Sequence, residues 1–179
     1  SGFNGQGTGM PLLHSTKGTP FNHSISSTLG DIDTDPVFHH PIKKDDLIRL
    51  AAGFGMRMHP ILKYKRMHNG IDYKANPGVK IYAAAGGVVR EAAPNGAYGN
   101  MVIIDHDNGF SSRYAHMESI TVQAGDEISA DQIIGTVGST GLSSVPHLHF
   151  EIMKDGKYVD PMKYLEQGVI VMPDTGTLD

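Results

Sequence analysis

The hydrophobic positions between residues 79 and 154 fall into short runs that turn-forming pairs separate. Asn95-Gly96, Asn108-Gly109 and Gly125-Asp126 are three of these pairs. Short β-rich runs at such regular intervals are typical of antiparallel all-β domains. The pattern predicts six strands, at residues 79–84, 87–92, 100–106, 110–117, 133–137 and 147–154.

Two of the six runs differ in how their apolar residues are arranged. Residues 101–104 read Met-Val-Ile-Ile without interruption, which predicts a strand buried on both faces. Residues 147–152 alternate instead, because successive side chains of a strand point to opposite faces. Leu148, Phe150 and Ile152 share one face, and His147, His149 and Glu151 share the other. The apolar face fixes the register, since a slip of one residue would bury the histidines.

The remaining segments set the predicted domain limits. Residues 1–36 are rich in Gly, Ser and Thr without any period, and we interpret them as an extended N-terminal arm or linker. The folded domain is expected at residues 37–167, followed by a tail at 168–179. Within the domain, residues 37–50 predict a short helix or an irregular segment, and residues 160–165 a closing turn or short helix.

Composition excludes several classes of protein. The chain has 179 residues, 39% of them hydrophobic, and a net charge of −4, which gives no electrostatic reason to expect nucleic-acid binding. No apolar stretch approaches the roughly 20 residues that a membrane span needs. The absence of cysteine excludes disulfides, thiolate zinc sites and a thiol nucleophile. The chain begins Ser1-Gly2 without a basic and apolar leader, so we expect that any signal peptide was removed or never present.

Ten histidines are unusual for a chain of this length. Histidine is the commonest metal ligand and exchanges protons near neutral pH. His147 and His149 lie on one strand face, about 6–7 Å apart at the backbone, and so can converge on one ion or one substrate. The alternative is a pair that faces solvent.

A second histidine lies four residues before a carboxylate, in His68-Asn69-Gly70-Ile71-Asp72. A fully extended strand would separate His68 from Asp72 by about 13 Å, too far for one metal. Asn69-Gly70 favours a turn, which can fold the two side chains together. The alternative is a turn with an Asx-type hydrogen bond and no ligand.

A third histidine ends the predicted strand at 110–117. Alternation places Phe110, Ser112, Tyr114 and His116 on one face, with Arg113 on the other, in solvent or in an ion pair. A lone histidine on such a face is usually a hydrogen-bonded structural residue. Together the three sets offer three ligands of the zinc-site type and two further histidines. Three protein ligands with an open fourth position are typical of a catalytic zinc site and not of a structural one. Strand geometry alone leaves open which of His147 and His149 takes the metal.

The sequence resembles the M23 family of zinc metallopeptidases, the lysostaphin-like or LytM-type peptidoglycan endopeptidases. The resemblance extends over about residues 40–165, and residues 1–36 have no counterpart. Its matching segments are Gly-Phe-Gly-Met-Arg-Met-His-Pro-Ile at 53–61, His-Asn-Gly-Ile-Asp at 68–72, Tyr-Ala-His at 114–116, Val-Gly-Ser-Thr-Gly at 137–141 and Pro-His-Leu-His-Phe-Glu at 146–151.

The resemblance implies a fold and a set of site residues. The fold is a small antiparallel β-sheet domain of the LytM-like, duplicated-hybrid-motif type, with a substrate groove across the sheet. One Zn²⁺ per chain is implied, with His68, Asp72 and His149 as its ligands and His116 and His147 as catalytic histidines. Four further residues are expected in the groove or beside the ligands: Tyr114, Arg57, His59 and Glu151.

The implied function is hydrolysis of peptide cross-links of bacterial peptidoglycan through a metal-activated water. The expected place is the cell envelope, periplasmic or secreted, and the expected state a monomer. Two alternatives stay open: a non-catalytic peptidoglycan-binding or hydrolase-activator module, and a latent enzyme whose arm at 1–36 covers the groove through His14, His23 or Asn4. The bond that is cut is a D-amino-acid cross-link or a glycine bridge, and we favour the former.

Overall fold

The structure, a computed structural model, describes residues 35–59 and 63–168. The predicted arm at 1–36 and the tail at 168–179 therefore lie almost wholly outside the described residues, and so does the proposed cover by His14 or His23. In the described part, four short 3₁₀ segments are the only helices, and none is long and apolar enough to cross a membrane.

Twelve strands make up the rest of the regular structure in the described ranges. They are β1 (Leu47–Ala52), β2 (Gly55–Met58), β3 (Lys65–His68), β4 (Ile71–Ala75), β5 (Lys80–Tyr82), β6 (Gly87–Pro94), β7 (Asn100–Asp105), β8 (Phe110–Ile120), β9 (Glu127–Ile128), β10 (Ile133–Val137), β11 (His147–Lys154) and β12 (Lys157–Val159). The 3₁₀ segments are Lys44–Asp46, Gly96–Tyr98, Asp107–Gly109 and Pro161–Lys163.

Ten of the strands form one sheet in which every named strand pair is antiparallel. Its main path runs β1-β4-β11-β8-β7-β6-β9, with β12 added to β11 and β10 paired with both β8 and β5. Strands β2 and β3 form a separate hairpin. The prediction of a mainly β, antiparallel domain is confirmed.

The main core lies against one face of the three central strands. Leu148, Phe150 and Ile152 of β11 pack there with Tyr73 of β4 and Tyr114 of β8, and all five are fully buried or nearly so. Burying a side chain of this size contributes about 1.5–3 kcal/mol. The alternation predicted for β11 therefore directs His147, His149 and Glu151 to the other face of the sheet.

Strand β7 is buried on both faces, as its unbroken apolar run predicts. Val102 and Ile104 belong to the main core, while Met101 and Ile103 form a smaller cluster with Ala115 on the opposite face. This second cluster lies on the same face of the sheet as His149, because Ala115 is the cross-strand partner of His149.

The predictions for the two ends of the domain had different outcomes. The helix or irregular segment predicted at 37–50 is wrong for residues 47–50, which begin strand β1. Leu50 is buried and pairs with Tyr73 of β4, so a tertiary ladder decides the local conformation there. The closing turn at 160–165 is confirmed as the 3₁₀ segment Pro161–Lys163, capped by the Asp160 carboxylate, which accepts a hydrogen bond from Met162 N at 3.0 Å.

Strand β8 departs from simple alternation at its centre. Val102 of β7 pairs with Tyr114 and Asn100 pairs with Met117, so Ala115 and His116 together oppose the single residue Met101. His116 has φ 59°, a left-handed conformation. This β-bulge turns His116 to the face opposite Tyr114. The prediction that the two side chains share a face is wrong, because the extra residue shifts the phase.

Candidate metal centre

Three side chains converge on the histidine face of the sheet. His68, Asp72 and His149 each offer one ligand atom, and these atoms lie within 4.8 Å of one another. His149 is the direct cross-strand partner of Asp72 in the β4–β11 ladder, and His149 Nδ1 lies 2.8 Å from Asp72 Oδ1. His68 Nε2 lies 3.3 Å from Asp72 Oδ2.

His68 and Asp72 meet across a bend in the chain. The antiparallel pairing continues from Ala52–Asp72 of β1 and β4 to Gly55–His68 of β2 and β3, and the bend at Asn69-Gly70 interrupts it without reversing the chain. A Cβ at position 70 would overlap the carbonyl oxygen of Phe150, so only glycine fits there. The predicted turn or positive φ at Asn69-Gly70 is wrong, because Gly70 forms a bend with φ outside the positive region, but the two side chains do meet there, with His68 Nε2 3.3 Å from Asp72 Oδ2.

Each of the two converging histidines is held by its other ring nitrogen. His68 Nδ1 donates to the carbonyl oxygen of Gly53 at 2.8 Å, which leaves Nε2 facing Asp72. His149 Nε2 donates to Glu151 Oε1 at 2.9 Å, which leaves its Nδ1 facing the carboxylate of Asp72. Such outer hydrogen bonds orient histidine ligands in metal sites. Two imidazole nitrogens and one carboxylate oxygen in this arrangement fit a zinc-type cation.

The charges at this point favour a bound cation. Burial alone would lower the pKa of His149, but its hydrogen bonds to Asp72 and Glu151 raise it to about 9. Burial alone would raise the pKa of Asp72, but hydrogen bonds from His149 and His68 hold it well below its usual value. The contact between His149 Nδ1 and Asp72 Oδ1 uses two of the atoms that would hold a metal ion, so a metal bound there would replace the proton that they share.

Glu151 is almost completely buried, at 1% exposure, and has three polar neighbours. Its Oε1 accepts hydrogen bonds from His149 and from the Tyr98 hydroxyl at 2.9 Å, and its Oε2 accepts from Arg113 Nη1 at 2.6 Å. Burial alone would raise the pKa of Glu151, but His149 and Arg113 keep it below its usual value. Glu151 thus lies where the sequence suggested, as a partner of an imidazole, and Arg113 forms the ion pair that was one of its two expected states.

His116 and His147 lie next to the three converging side chains. Their ring centroids are 4.8 Å apart, and the centroid of His116 is 6.1 Å from that of His149. His116 Nδ1 donates to Thr140 O at 2.7 Å and His147 Nδ1 donates to Val145 O at 2.8 Å. Burial lowers the pKa of His116, although its hydrogen bond to Thr140 opposes this shift. The arrangement gives a neutral imidazole whose Nε2 is available to accept a proton.

A groove of about 500 Å³ lies over these residues. Arg57 and His59 line it together with Glu151, as the sequence suggested. Tyr114 does not reach it, and its prediction as a groove residue is wrong. Tyr114 is fully buried in the core, where its hydroxyl accepts a hydrogen bond from Ala84 N at 2.8 Å. It precedes the bulge, and regular alternation keeps it on the core face.

Sequence reasoning missed several groove residues, namely Arg49, Arg66, Lys74, Tyr98 and the loop residues Leu142, Ser143 and Ser144. They come from separate elements, and only the cross-strand registers bring them together. Three histidines without motif support lie elsewhere in structural hydrogen bonds: His39 with Glu166, His40 with Tyr73, and His106 with Gly86 and Ser112.

The sequence is similar to a known peptidase family and to proteins that act on the bacterial cell wall. A model described as peptidase family M23 matches residues 66–161, more than half of the chain. The chain is 45% identical over 114 residues to the DD-carboxypeptidase/endopeptidase Mpg of Neisseria meningitidis, which covers 64% of this chain and 26% of Mpg. It is 44% identical over 101 residues to the murein hydrolase activator NlpD of Salmonella dublin, which covers 56% of this chain and 26% of NlpD. The chain thus spans about a quarter of the length of these relatives.

The fold is also similar to solved structures. A zinc-containing peptidase from Vibrio cholerae superposes with a TM-score of 0.67 at 31% identity, over 72% of this chain and 40% of that one. The described sheet therefore has the architecture of a known peptidase domain.

Proposed function

The chain belongs to peptidase family M23, and from this we propose that it is a zinc-dependent endopeptidase that hydrolyses peptide cross-links of bacterial peptidoglycan. The single observation that carries the proposal is the convergence of His68, Asp72 and His149 within 4.8 Å beside His116 and His147. A binding module needs no such set of oriented imidazoles, whereas a hydrolase does.

His68 Nε2, Asp72 and His149 Nδ1 would hold the zinc ion. When bound there, zinc supplies a Lewis acid that makes a water molecule more acidic and polarises a peptide carbonyl. Three protein ligands are typical of catalytic zinc, because they leave a coordination position for the reacting groups. Glu151 fixes the orientation of His149, and Arg113 and Tyr98 in turn fix Glu151.

His116 and His147 would handle the protons of the reaction. Each donates Nδ1–H to a backbone carbonyl and so keeps Nε2 as its proton-exchanging atom. Between them they accept a proton from the attacking water and return one to the leaving amine. The lowered pKa of His116 suits acceptance at neutral pH, because the imidazole is then unprotonated.

We favour a D-amino-acid cross-link as the bond that is cut. The support is the relative Mpg, whose name describes a DD-carboxypeptidase/endopeptidase. A peptidoglycan substrate also places the protein in the cell envelope, periplasmic or secreted, where we expect it to act as a monomer.

The proposal is tested by digesting defined cross-linked muropeptides with the zinc-loaded chain and reading the products by mass spectrometry. One substrate carries a D-amino-acid cross-link and a second carries a glycine bridge. We expect cleavage of the first, loss of cleavage with a chelator, and recovery when zinc is added back. No product from either substrate, with one zinc bound per chain, would reject an endopeptidase.

The second candidate function is activation of a separate wall hydrolase, and the similarity to NlpD is the observation that favours it. An activator would bind peptidoglycan sacculi and raise the turnover of an added murein hydrolase without releasing products itself. We favour the enzyme because His68, Asp72, His149, His116 and His147 are all present and oriented.

A further inference from the structure

The groove over the candidate metal centre has two chemically different walls. Strands β1 to β4 form one wall, and each contributes one cationic side chain: Arg49, Arg57, Arg66 and Lys74. The other wall combines the Gly96–Tyr98 segment with the loop between β10 and β11, joined by the hydrogen bond from Leu142 N to Ala97 O. Ala97, Leu142, Ser143, Ser144 and Val145 line that wall, and none of them carries a charge.

The cationic side chains face one another in pairs across their strands. Arg57 of β2 is the direct partner of Arg66 of β3, and Arg49 of β1 is the direct partner of Lys74 of β4. Like charges directly opposite each other on a sheet are destabilising. The Arg57–Arg66 pair thus carries a cost that an anion bound beside it would remove.

Nothing in residues 35–59 and 63–168 neutralises Arg57, Arg66 or Lys74 by an ion pair. Three other basic side chains each have a carboxylate partner: Arg90 pairs with Asp105, Arg113 with Glu151 and Lys154 with Asp35. Among the described residues that line the groove, the acidic ones are Asp72 and Glu151. Asp72 faces the converging histidines and Glu151 faces His149 and Arg113, so neither forms an ion pair with Arg57, Arg66 or Lys74.

The local charge also opposes that of the whole chain. The protein has 19 acidic and 15 basic residues, a net charge of −4. Four of the basic residues nonetheless lie on one wall of one groove. A cleft lined by one sign of charge raises the local concentration of a ligand of opposite charge.

We propose that the wall formed by Arg49, Arg57, Arg66 and Lys74 binds free carboxylates of the peptide substrate, so that the protein selects acidic cross-linked peptides over their amidated counterparts. This inference rests on the proposed function, because it names the substrate class of the same groove. It also orients the peptide across the groove. The carboxylates lie towards β1–β4, and small apolar groups such as alanyl methyls lie towards Leu142 and Val145, which are 73% and 48% exposed.

Amidation is the matched chemical probe for this proposal. Converting a carboxylate to a carboxamide removes its charge and leaves its size nearly unchanged. Guanidinium groups bind carboxylates through charge-assisted hydrogen bonds, which an amide forms much more weakly. A glycine bridge carries no side-chain carboxylate, so an acid-selective wall also favours a cross-link between acidic stem peptides.

The test measures binding without turnover, in the zinc-loaded full chain carrying His116→Ala. Two synthetic cross-linked peptides are compared by calorimetry, one with free carboxyls and one with the same carboxyls amidated. We expect the acidic peptide to bind about fivefold more tightly for each free carboxylate, and this preference to shrink as salt is raised. Equal affinity for the two peptides would overturn the proposal.

Two charge-neutralising variants locate the effect. Arg66→Gln and Lys74→Gln should each reduce the preference for the acidic peptide severalfold. Lys163→Gln removes the same charge from an exposed lysine outside the groove and should keep the full preference. A preference that survives in the Arg66→Gln and Lys74→Gln double variant would also overturn the proposal.

A separate readout distinguishes this inference from the proposed function. Wild-type protein is offered both peptides, and product release is followed. Cleavage of both at the same kcat/KM would reject acid selection while supporting the endopeptidase. Selective binding of the acidic peptide without cleavage of either would reject the endopeptidase and support the cationic wall.

Discussion

Strands β11 and β8 lie side by side, and each supplies histidines to the same groove, but they do so in different ways. From His147 to Lys154, β11 alternates without interruption and pairs residue for residue with β4 and β8. Strand β8 alternates only as far as Ala115, where the bulge opposite Met101 turns His116 to the same face. One strand places its histidines by regular register, and the other places its histidine by an irregularity.

The proposed zinc ligands and the histidine beside them are therefore positioned in different ways. The proposed zinc ligands Asp72 and His149 are direct cross-strand partners in a regular ladder, with the core residues Leu148 and Phe150 beside them. Packing therefore holds the ligands rigidly. His116 approaches from the third strand, where a regular backbone would direct it into the core. A bulge next to an active site re-aims a side chain in this way.

The largest expected effect comes from the regular strand. His149→Ala removes the imidazole that faces both Asp72 and Glu151, so both buried carboxylates lose a partner. We expect loss of bound zinc, measured by elemental analysis, and of all detectable hydrolysis. His39→Ala, at a histidine outside the groove, should keep both. Stoichiometric zinc in His149→Ala would show that the regular register does not define the metal centre.

The irregular strand should behave differently in the same assay. His116→Ala is expected to keep one zinc per chain and to lower kcat by about 10²- to 10⁴-fold, the usual contribution of a positioned proton-transfer group. The physical reason is that His116 lies beside the ligands without forming part of the set. If His116→Ala lost as much zinc as His149→Ala, His116 would also be needed to hold the metal, and the distinction between the two strands would be wrong.

A third change tests the ion pair between Arg113 of β8 and Glu151 of β11, which lies in the regular part of β8. Glu151→Gln weakens the hydrogen bond to His149 Nε2 and leaves Arg113 without its buried counter-charge. We expect zinc affinity to fall about 10- to 100-fold in a competition titration with a chelator. Tyr98→Phe removes one hydrogen bond to the same carboxylate and should have a smaller effect. Glu127→Gln, an exposed acid on β9, serves as the control, and an equal loss there would refute a specific role for Glu151.

The smallest effect concerns the bulge itself. Because His116 has φ 59°, residues that tolerate the left-handed region should fit better than β-branched ones. His116→Asn should therefore unfold at higher denaturant concentration than His116→Val, with a difference of about 1 kcal/mol in the free energy of unfolding. The two variants remove the same imidazole, so they differ only in backbone fit. Equal midpoints would indicate that position 116 relaxes to an extended conformation.

The contrast between regular and irregular strands also explains which parts of the fold and the site could be predicted from the sequence. Strong alternation identified β11 and an unbroken apolar run identified β7, because burial dictates those patterns directly. Strands β1 to β4 were not predicted as strands, since apolar, polar and charged residues are mixed in them without a clear period. The bulge at His116 left no signal in the sequence, because it is defined by which residues of β7 and β8 pair, and the sequence of one strand does not show that pairing. Cross-strand neighbours such as Arg113 and Glu151 required the register of both strands.

The most direct test of the proposed metal centre is a crystal structure of the zinc-loaded protein with data collected at the zinc absorption edge. We predict one anomalous peak within ligand distance, about 2.0–2.2 Å, of His68 Nε2, an Asp72 oxygen and His149 Nδ1, with the imidazoles of His116 and His147 outside that distance. A peak coordinated by His116 or His147, or no peak in this groove at full zinc occupancy, would contradict the account.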